Sequence, residues 1–193
     1  MKIKELGVLA RREQSVCVLD TPGGQWVNIG GGMYPLNGLP ELDEHSVLAL
    51  LDVPEEDRSS YASGRMKAPA MVLRMIVDNH PEDRDASLCD LTVSFRGVSV
   101  QPVATTSGMV FVDPAMLKPV QDRKNLTMHR RNTTTTGTCV IAVKEGMQLL
   151  ALLPVAEVWA TQERADLLWT VGNRVNEILH EKKQKADGEQ IVL

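Results

Sequence analysis

Aromatic residues are scarce in this chain of 193 residues, which contains three Trp, two Tyr and two Phe. We therefore expect a core built mainly from Leu, Val, Ile, Met and Ala. Few aromatic rings leave few platforms on which unpaired bases could stack, which argues against a module for single-stranded nucleic acid. Long apolar runs are missing too, because no stretch reaches the roughly 20 residues that cross a bilayer. The charged N-terminus MKIKELGVLARREQ is unlike a secretory signal peptide.

Cysteines are few and odd in number: Cys17, Cys89 and Cys139. Their wide spacing and the charged N-terminus predict reduced thiols and a cytoplasmic location. Each cysteine adjoins apolar residues, which is typical of a small buried side chain rather than of a nucleophile or a metal ligand.

Catalytic and cofactor motifs are also missing. The glycines Gly30, Gly31 and Gly32 lack both the Lys-Ser/Thr ending of a phosphate loop and the G-x-G-x-x-G spacing of a dinucleotide site. The acids and His80 between Asp78 and Asp90 match no established metal-ligand spacing. We therefore expect no enzyme, no metal and no cofactor, although catalytic groups drawn from distant positions would leave no such motif.

The composition that is present is that of a globular protein, with 43% hydrophobic residues, 24% charged residues and a net charge of −4. Its length predicts a single α+β domain over 1–193, with 38–66 as a helical insert and 186–193 as a tail. Turn signals and β-branched runs predict a hairpin at 15–29, a three-stranded meander at 88–112 and a second hairpin at 139–154.

Helices are predicted at two places. Asp43 is a candidate N-cap for a short acidic helix, and an apolar stripe over 161–185 predicts a C-terminal amphipathic helix. The fold class is therefore α+β: a mainly antiparallel sheet with a short acidic helical insert and a C-terminal amphipathic helix. Residues 30–42 are expected to be irregular, 71–77 to be strand or helix, and 78–85 to be a polar surface loop.

Charge is segregated along the chain. Residues 38–58 carry seven acids and one Arg, whereas 118–131 carry five basic residues and one acid. A basic patch can contact phosphates, and an acidic one can bind a basic groove through complementary potential. The candidate nucleic-acid-binding residues are Lys118, Arg123, Lys124, Arg130, Arg131, Arg11 and Arg12. The candidate partner-binding residues are Glu41, Asp43, Glu44, Glu55, Glu56 and Asp57.

The first third of the chain carries a resemblance, in KELGVLARRE, WVNIGGGMYPLNGLPEL and VLALLDVPEEDR. These segments are similar to small uncharacterised accessory proteins of bacteriophages and mobile elements in Gram-positive bacteria. The resemblance implies a protein that works by binding, and inhibitors of host defence such as anti-CRISPR proteins are one such class. It transfers no functional residue to this sequence.

Three hypotheses follow from these patterns. The leading one is a non-enzymatic binding protein whose partner is a protein or a nucleoprotein complex, engaged by a monomer or a homodimer. The first alternative is direct binding of DNA or RNA through 118–131. The second is a nuclease or other hydrolase, although the carboxylate that nucleases place two residues before a lysine is replaced by Ala142 at Lys144.

Overall fold

The computed structural model of the protein describes residues 1–95, 97–132 and 139–155, together with Thr170, Val171, Arg174, Glu177 and Ile178. The helices in this part are α1 (Ile3–Glu13), α2 (Glu44–Leu50), α3 (Ala70–Met75) and α4 (Pro114–Leu117), with a 3-10 helix at Glu55–Ser60. The strands are β1 (Ser15–Thr21), β2 (Gly24–Ile29), β3 (Gly32–Pro35), β4 (Ala62–Lys67), β5 (Arg84–Leu88), β6 (Val93–Phe95), β7 (Val98–Thr105), β8 (Gly108–Val112), β9 (Leu126–Asn132), β10 (Cys139–Glu145) and β11 (Gln148–Pro154).

One large sheet dominates the described residues, in the order β4-β1-β2-β3-β11-β10-β9-β5-β7-β6, and β8 also pairs with β7. Every pairing is antiparallel except that of β1 with the edge strand β4. The predicted α+β class with a mainly antiparallel sheet is therefore confirmed. Most of the predicted C-terminal helix, and the tail 186–193, lie outside the described residues. No helix in the described part is long and apolar enough to cross a membrane.

The central strands β1, β2, β3, β10 and β11 are covered on both faces, so they divide their side chains between two cores. The helix-face core lies under α1 and α2, where it includes Leu6, Val16, Val47 and Leu153. The second core lies on the opposite side around α3, and we call it the strap-face core after residues 76–83, which lie on that side and form the strap described below. It is built from Leu19, Trp26, Met33, Ala68, Met75, Ala142, Leu149 and Leu152. Alternation along a strand places neighbouring residues on opposite faces, as Val18 and Leu19 in β1 illustrate.

Local signals placed several elements correctly. The Pro22-Gly23 turn joins β1 and β2 as a hairpin, and the second hairpin and the meander form as expected. At the start of α2 the Asp43 carboxylate accepts hydrogen bonds from the His45 and Ser46 amides. The Ser46 hydroxyl in turn accepts from the Asp43 amide, which completes a capping box.

Other expectations were wrong. Residues 30–42 are not irregular throughout, because Gly30 and Gly31 form a tight turn with positive φ that starts β3. All four β3 residues are buried, which removes the alternation that usually identifies a strand. The segment 71–77 contains α3, and α1 was not predicted at all. The segment 78–85 is not simply a surface loop, because the side chain of Asp83 is only 12% exposed.

A β-bulge lies in β11. Val143 pairs with Ala151 and Lys144 pairs with Leu149, which leaves Leu150 as an extra residue. Leu150 and Ala151 therefore both point to the helix-face core, and Leu149 returns to the strap-face core beside Leu152. The apolar run at 149–153 in β11 follows from this geometry, because each of these five residues is buried on one face or the other.

Candidate functional site

Three side chains from distant parts of the chain form a buried ion cluster on the strap face. Arg131 is 0% exposed, and its Nε and Nη2 donate to the two Asp83 carboxylate oxygens at 2.7 and 3.0 Å. The Lys144 Nζ donates to Asp83 Oδ2 at 2.6 Å. Arg131 Nη1 donates to the carbonyls of Met75 and Val77. The planar guanidinium suits this arrangement, because it donates to a carboxylate from two nitrogens and to backbone carbonyls from the third.

The ion cluster holds residues 76–83 against the sheet, and we call this segment the strap. The Leu149 amide at the bulge donates to Asp78 Oδ1 at 2.8 Å, which makes a second attachment. Burial alone would raise the pKa of Asp83, but hydrogen bonds from Arg131 and Lys144 outweigh it and lower that pKa. Burial, followed by the nearby Arg131 charge, lowers the pKa of His80 on the strap.

A groove of 750 Å³ opens where β5 and β9 diverge. The two strands pair only as far as Ala86 and Met128, after which β5 follows β7. On the rim, His129 Nδ1 lies 3.4 Å from Asp85 Oδ1, and His129 Nε2 lies 3.3 Å from Thr127 Oγ1. This hydroxyl–imidazole–carboxylate chain has the connectivity of a catalytic triad, but the Asp85 side chain is 96% exposed. The groove floor is apolar, with Leu117, Leu126 and Met128.

The predicted basic residues of 118–124 lie next to α1. The Lys2 amide donates to the Pro119 carbonyl, and the Lys2 ammonium pairs with Asp122. At the other end of α1, Arg12 pairs with Asp113 and Glu13. The basic segment therefore contacts the start of α1, whereas the candidates Arg11 and Arg12 lie in the last turn of that helix.

Most of these basic groups already have partners within the chain. Arg123 lies 3.6 Å from Glu145, and Arg11 donates to the Asp52 carbonyl. Arg131 is buried in the ion cluster and is not part of a solvent-facing surface. Arg130 is half-buried, and its Nε has no hydrogen-bond partner among the described residues. Lys118 and Lys124 remain exposed, with no ion pair among the described residues.

The predicted acidic residues lie at the β4 end of the sheet. Glu41 pairs with Arg65, which also binds Asp20. Asp43 caps α2, and its exposed carboxylate has a lowered pKa because the Ser46 side chain and backbone donate to it. Glu55, Glu56 and Asp57 form the first turn of the 3-10 helix and are exposed. These three and Glu44 make no ion pair with any described residue.

Neither the ion cluster nor the groove was predicted from the sequence. Asp83 is 48 residues from Arg131 and 61 from Lys144, so no local pattern connects them. A signal for β9 did exist, because Leu126 and Met128 alternate with Thr127 and His129 at the period of a strand. Of the three cysteines, Cys89 is buried as expected, whereas Cys17 and Cys139 are only partly buried. Burial raises the pKa values of Cys17 and Cys89.

Comparisons with models of protein families, with curated proteins and with solved structures gave no match for this chain.

Proposed function

We propose that this chain is a non-enzymatic binding protein that engages a basic protein or nucleoprotein surface through its acidic segment 41–58. The observation that carries the proposal is an asymmetry between the two charged surfaces. The basic candidates are largely used inside the molecule, by Asp113, Glu145 and Asp83 among others. The acidic segment instead presents Glu44, Glu55, Glu56 and Asp57 without ion pairs to described residues.

Unpaired carboxylates on a short rigid element suit an intermolecular role. They attract a basic partner over a distance of several ångströms and accelerate the encounter. A segment that is rich in carboxylates also resembles a nucleic-acid backbone in charge, so it would compete for a groove that binds phosphates. We place the protein in a cytoplasmic setting as a phage or mobile-element accessory protein, and inhibition of a host defence complex, as by an anti-CRISPR protein, is the corresponding activity.

Two charge-reversed variants test the acidic segment. The test variant is Glu55→Lys with Glu56→Lys, which leaves the Asp43 cap and the Glu41–Arg65 pair intact. The matched control is Asp85→Lys with Asp90→Lys, which changes the net charge equally at exposed positions remote from β4 in the sheet. Each protein is immobilised and exposed to a nuclease-treated bacterial lysate, and a captured partner is then purified and titrated against all three.

We expect the wild-type protein and the control to bind the partner with an affinity that falls as salt rises, and the test variant to bind at least ten times more weakly. Reversal of all six candidate acids should abolish binding. Equal binding by the test variant, or no protein partner at all after nuclease treatment, would overturn the proposal.

Direct nucleic-acid binding is the second candidate, favoured by the proximity of α1 to the basic segment. Its accessible donors are Lys118 and Lys124. Fluorescence anisotropy with labelled duplex DNA and RNA should then show binding that weakens with salt, and Lys118→Ala with Lys124→Ala should reduce the slope of that dependence by about two. An anisotropy that does not change with protein concentration at low salt would exclude this candidate.

Hydrolysis is the third candidate, favoured only by the chain Thr127–His129–Asp85 at the groove. In that case Thr127 would attack an ester carbonyl while His129 accepts its proton, and the alcohol would leave with that proton to give an acyl-threonine. Water would then hydrolyse this ester, which releases the acid and restores the Thr127 hydroxyl. Turnover of a p-nitrophenyl ester that is lost in Thr127→Ala and kept in Thr105→Ala would support it. Equal rates in the two variants would exclude it.

A further inference from the structure

One side of the edge strand β4 is unpaired among the described residues. The pairing of β4 with β1 shows which backbone groups face that unpaired side. The Ala62 amide donates to Gln14, before β1, and the Ala68 amide donates to Asp20 within it, each at 2.9 Å. Backbone groups alternate in direction along a strand, so those of Ala62, Gly64 and Met66 face β1. The amides and carbonyls of Ser63, Arg65 and Lys67 therefore face outward, and no described residue pairs with them.

The side chains of β4 alternate as well. Met66 lies opposite Leu19 and is 52% exposed on the strap face. Arg65 lies opposite Val18 on the helix face, where Asp20 and Glu41 already balance its charge. The edge strand therefore has six residues, of which five are exposed, and the charge of its one arginine is balanced. It contains no Pro or bulge of the kind that usually blocks edge pairing.

We propose that two copies of this chain pair through β4, antiparallel about a twofold axis at Gly64, so that their sheets become continuous. This register places Ser63 opposite Arg65 of the second copy, and both present outward-facing backbone groups. Four backbone hydrogen bonds result, two from each symmetry-related pair. On the strap face Ala62 meets Met66 of the second copy, so each exposed methionine gains an apolar neighbour.

Neighbouring registers are less favourable. A twofold axis at Arg65 sets two arginines directly opposite each other, which is destabilising. An axis at Ser63 pairs Arg65 with Tyr61, whose amide already donates to the Arg58 carbonyl. In the Gly64 register, Lys67 of one copy lies near the start of β4 in the other copy. That start comes just after the acidic residues Glu55, Glu56 and Asp57, so a basic end meets an acidic end. The charge gradient along the edge is thus self-complementary, which favours a second copy over an unrelated strand.

A disulfide across the axis tests the register directly. In the proposed dimer, Gly64 faces Gly64 of the second copy at the Cα separation of an antiparallel pair, about 4.5–5.5 Å, which suits a disulfide. A Cβ added at Gly64 meets no heavy atom within 4 Å. Cys17 lies opposite Gly64 on β1, so the variant Gly64→Cys is made in a Cys17→Ala background. We expect a covalent dimer under mild oxidation.

The matched control is Ala62→Cys in the same background. It places a thiol on the same face of the same strand, but the two copies of residue 62 are four residues apart in this register, or about 13 Å. We expect no covalent dimer from it. Equal cross-linking of the two variants, or none in either, would overturn the proposed register.

A proline provides an independent test of the pairing. Ser63→Pro removes an outward amide without removing a hydrogen bond to β1, and Ser63→Ala is its control. By sedimentation velocity over a concentration series, we expect wild-type and Ser63→Ala to reach the mass of a dimer and Ser63→Pro to stay monomeric with an unchanged circular dichroism spectrum. A wild-type protein that is monomeric at every concentration, or a Ser63→Pro that dimerises equally, would contradict the inference. Neither result depends on the proposed binding function.

Discussion

Arg131 shows how one side chain can hold distant segments of a chain together. Its guanidinium donates from two nitrogens to Asp83 and from the third nitrogen to two backbone carbonyls near the start of the strap. The Arg131 side chain is itself fully buried. Two cations and one carboxylate leave the ion cluster with an excess of positive charge. Such a buried group is costly to assemble, but it is still more costly to break, because each partner is then left charged and poorly solvated.

We expect Asp83→Asn to reduce the free energy of unfolding by about 3–5 kcal/mol, because Arg131 and Lys144 lose their only described counter-charge. Urea denaturation measures the change. The control Asp85→Asn changes a carboxylate that is 96% exposed beside His129, and it should cost less than about 1 kcal/mol. Equal losses in the two variants would show that the ion cluster contributes no more than a surface pair.

The lowered pKa of Asp83 also predicts a dependence on pH. Its contribution to stability is fully present above the unfolded pKa of about 3.9, and it is lost as the pH falls through the lower folded pKa. The difference in stability between wild-type and Asp83→Asn should therefore be constant near neutral pH and shrink in acid. A difference that grows in acid would contradict the assignment of Asp83 as the ionised member of the cluster.

At the scale of elements, the close contact between α1 and α2 depends on Gly7. A Cβ at this position would lie 2.4 Å from the Leu51 carbonyl oxygen, which is backbone and cannot swing away. In an exposed helix, glycine to alanine is favourable by about 1 kcal/mol. At Gly7 the contact with Leu51 makes the net change in stability unfavourable, because backbone shifts caused by overpacking typically cost about 1–3 kcal/mol.

We therefore expect Gly7→Ala to lower the midpoint of thermal unfolding although it raises helix propensity. The control Val8→Ala changes a neighbouring side chain that is 49% exposed, and it should leave the midpoint nearly unchanged. A stabilised Gly7→Ala would mean that α1 can move away from α2 at little cost.

Tyr34 connects β3 to α4 through the interior. Its hydroxyl donates to the Met116 carbonyl at 2.7 Å, and burial raises the pKa of this phenol. We expect Tyr34→Phe to cost about 1–3 kcal/mol in chemical denaturation, because the carbonyl is left without its donor. Tyr61→Phe is the control, since the Tyr61 hydroxyl makes no hydrogen bond with described residues, and its effect should be close to zero.

Prediction from sequence succeeded where the signal was local. The turn at Pro22-Gly23 and the cap at Asp43 are read from neighbouring residues, and both were found. It failed where burial depends on residues that are distant in sequence. β3 is buried on both faces, so it shows no alternation. The segment around Asp83 has the composition of an exposed loop, although Arg131 and Lys144 bind its carboxylate in the structure. The α1 helix was missed because Gly7 lowers helix propensity, yet this glycine is present for packing against α2.

At the scale of the molecule, the sheet consists of two parts that meet at one seam. Strands β1–β4 form one part and β5–β11 the other. Within the described part of the sheet they are joined by the pairing of Met33 in β3 with Leu152 in β11. Both residues lie in the strap-face core, and Leu152 is fully buried. The unfolding of the two parts is therefore coupled mainly through side-chain packing at the seam.

We expect Leu152→Ala to cost about 2–5 kcal/mol and to reduce the cooperativity of unfolding. Hydrogen exchange followed by mass spectrometry should show one common protection level in the wild-type protein and two levels in the variant, one for each part. Leu88→Ala, at a position that is 39% exposed, serves as the control and should keep a single level. A uniform loss of protection in Leu152→Ala would indicate that the two parts are coupled elsewhere.

The bulge at Leu150 sets which face each residue of the last hairpin occupies. If β11 alternated regularly through Leu150, the residues before it would exchange faces, so that Gln148 would enter the strap-face core and the Leu149 amide would no longer face Asp78. The loss of this one bulge, with no change in chain length, would thus release a strap whose Asp78 lies 71 positions earlier in the chain. The phase of a single hairpin therefore decides whether a distant segment stays attached to the sheet.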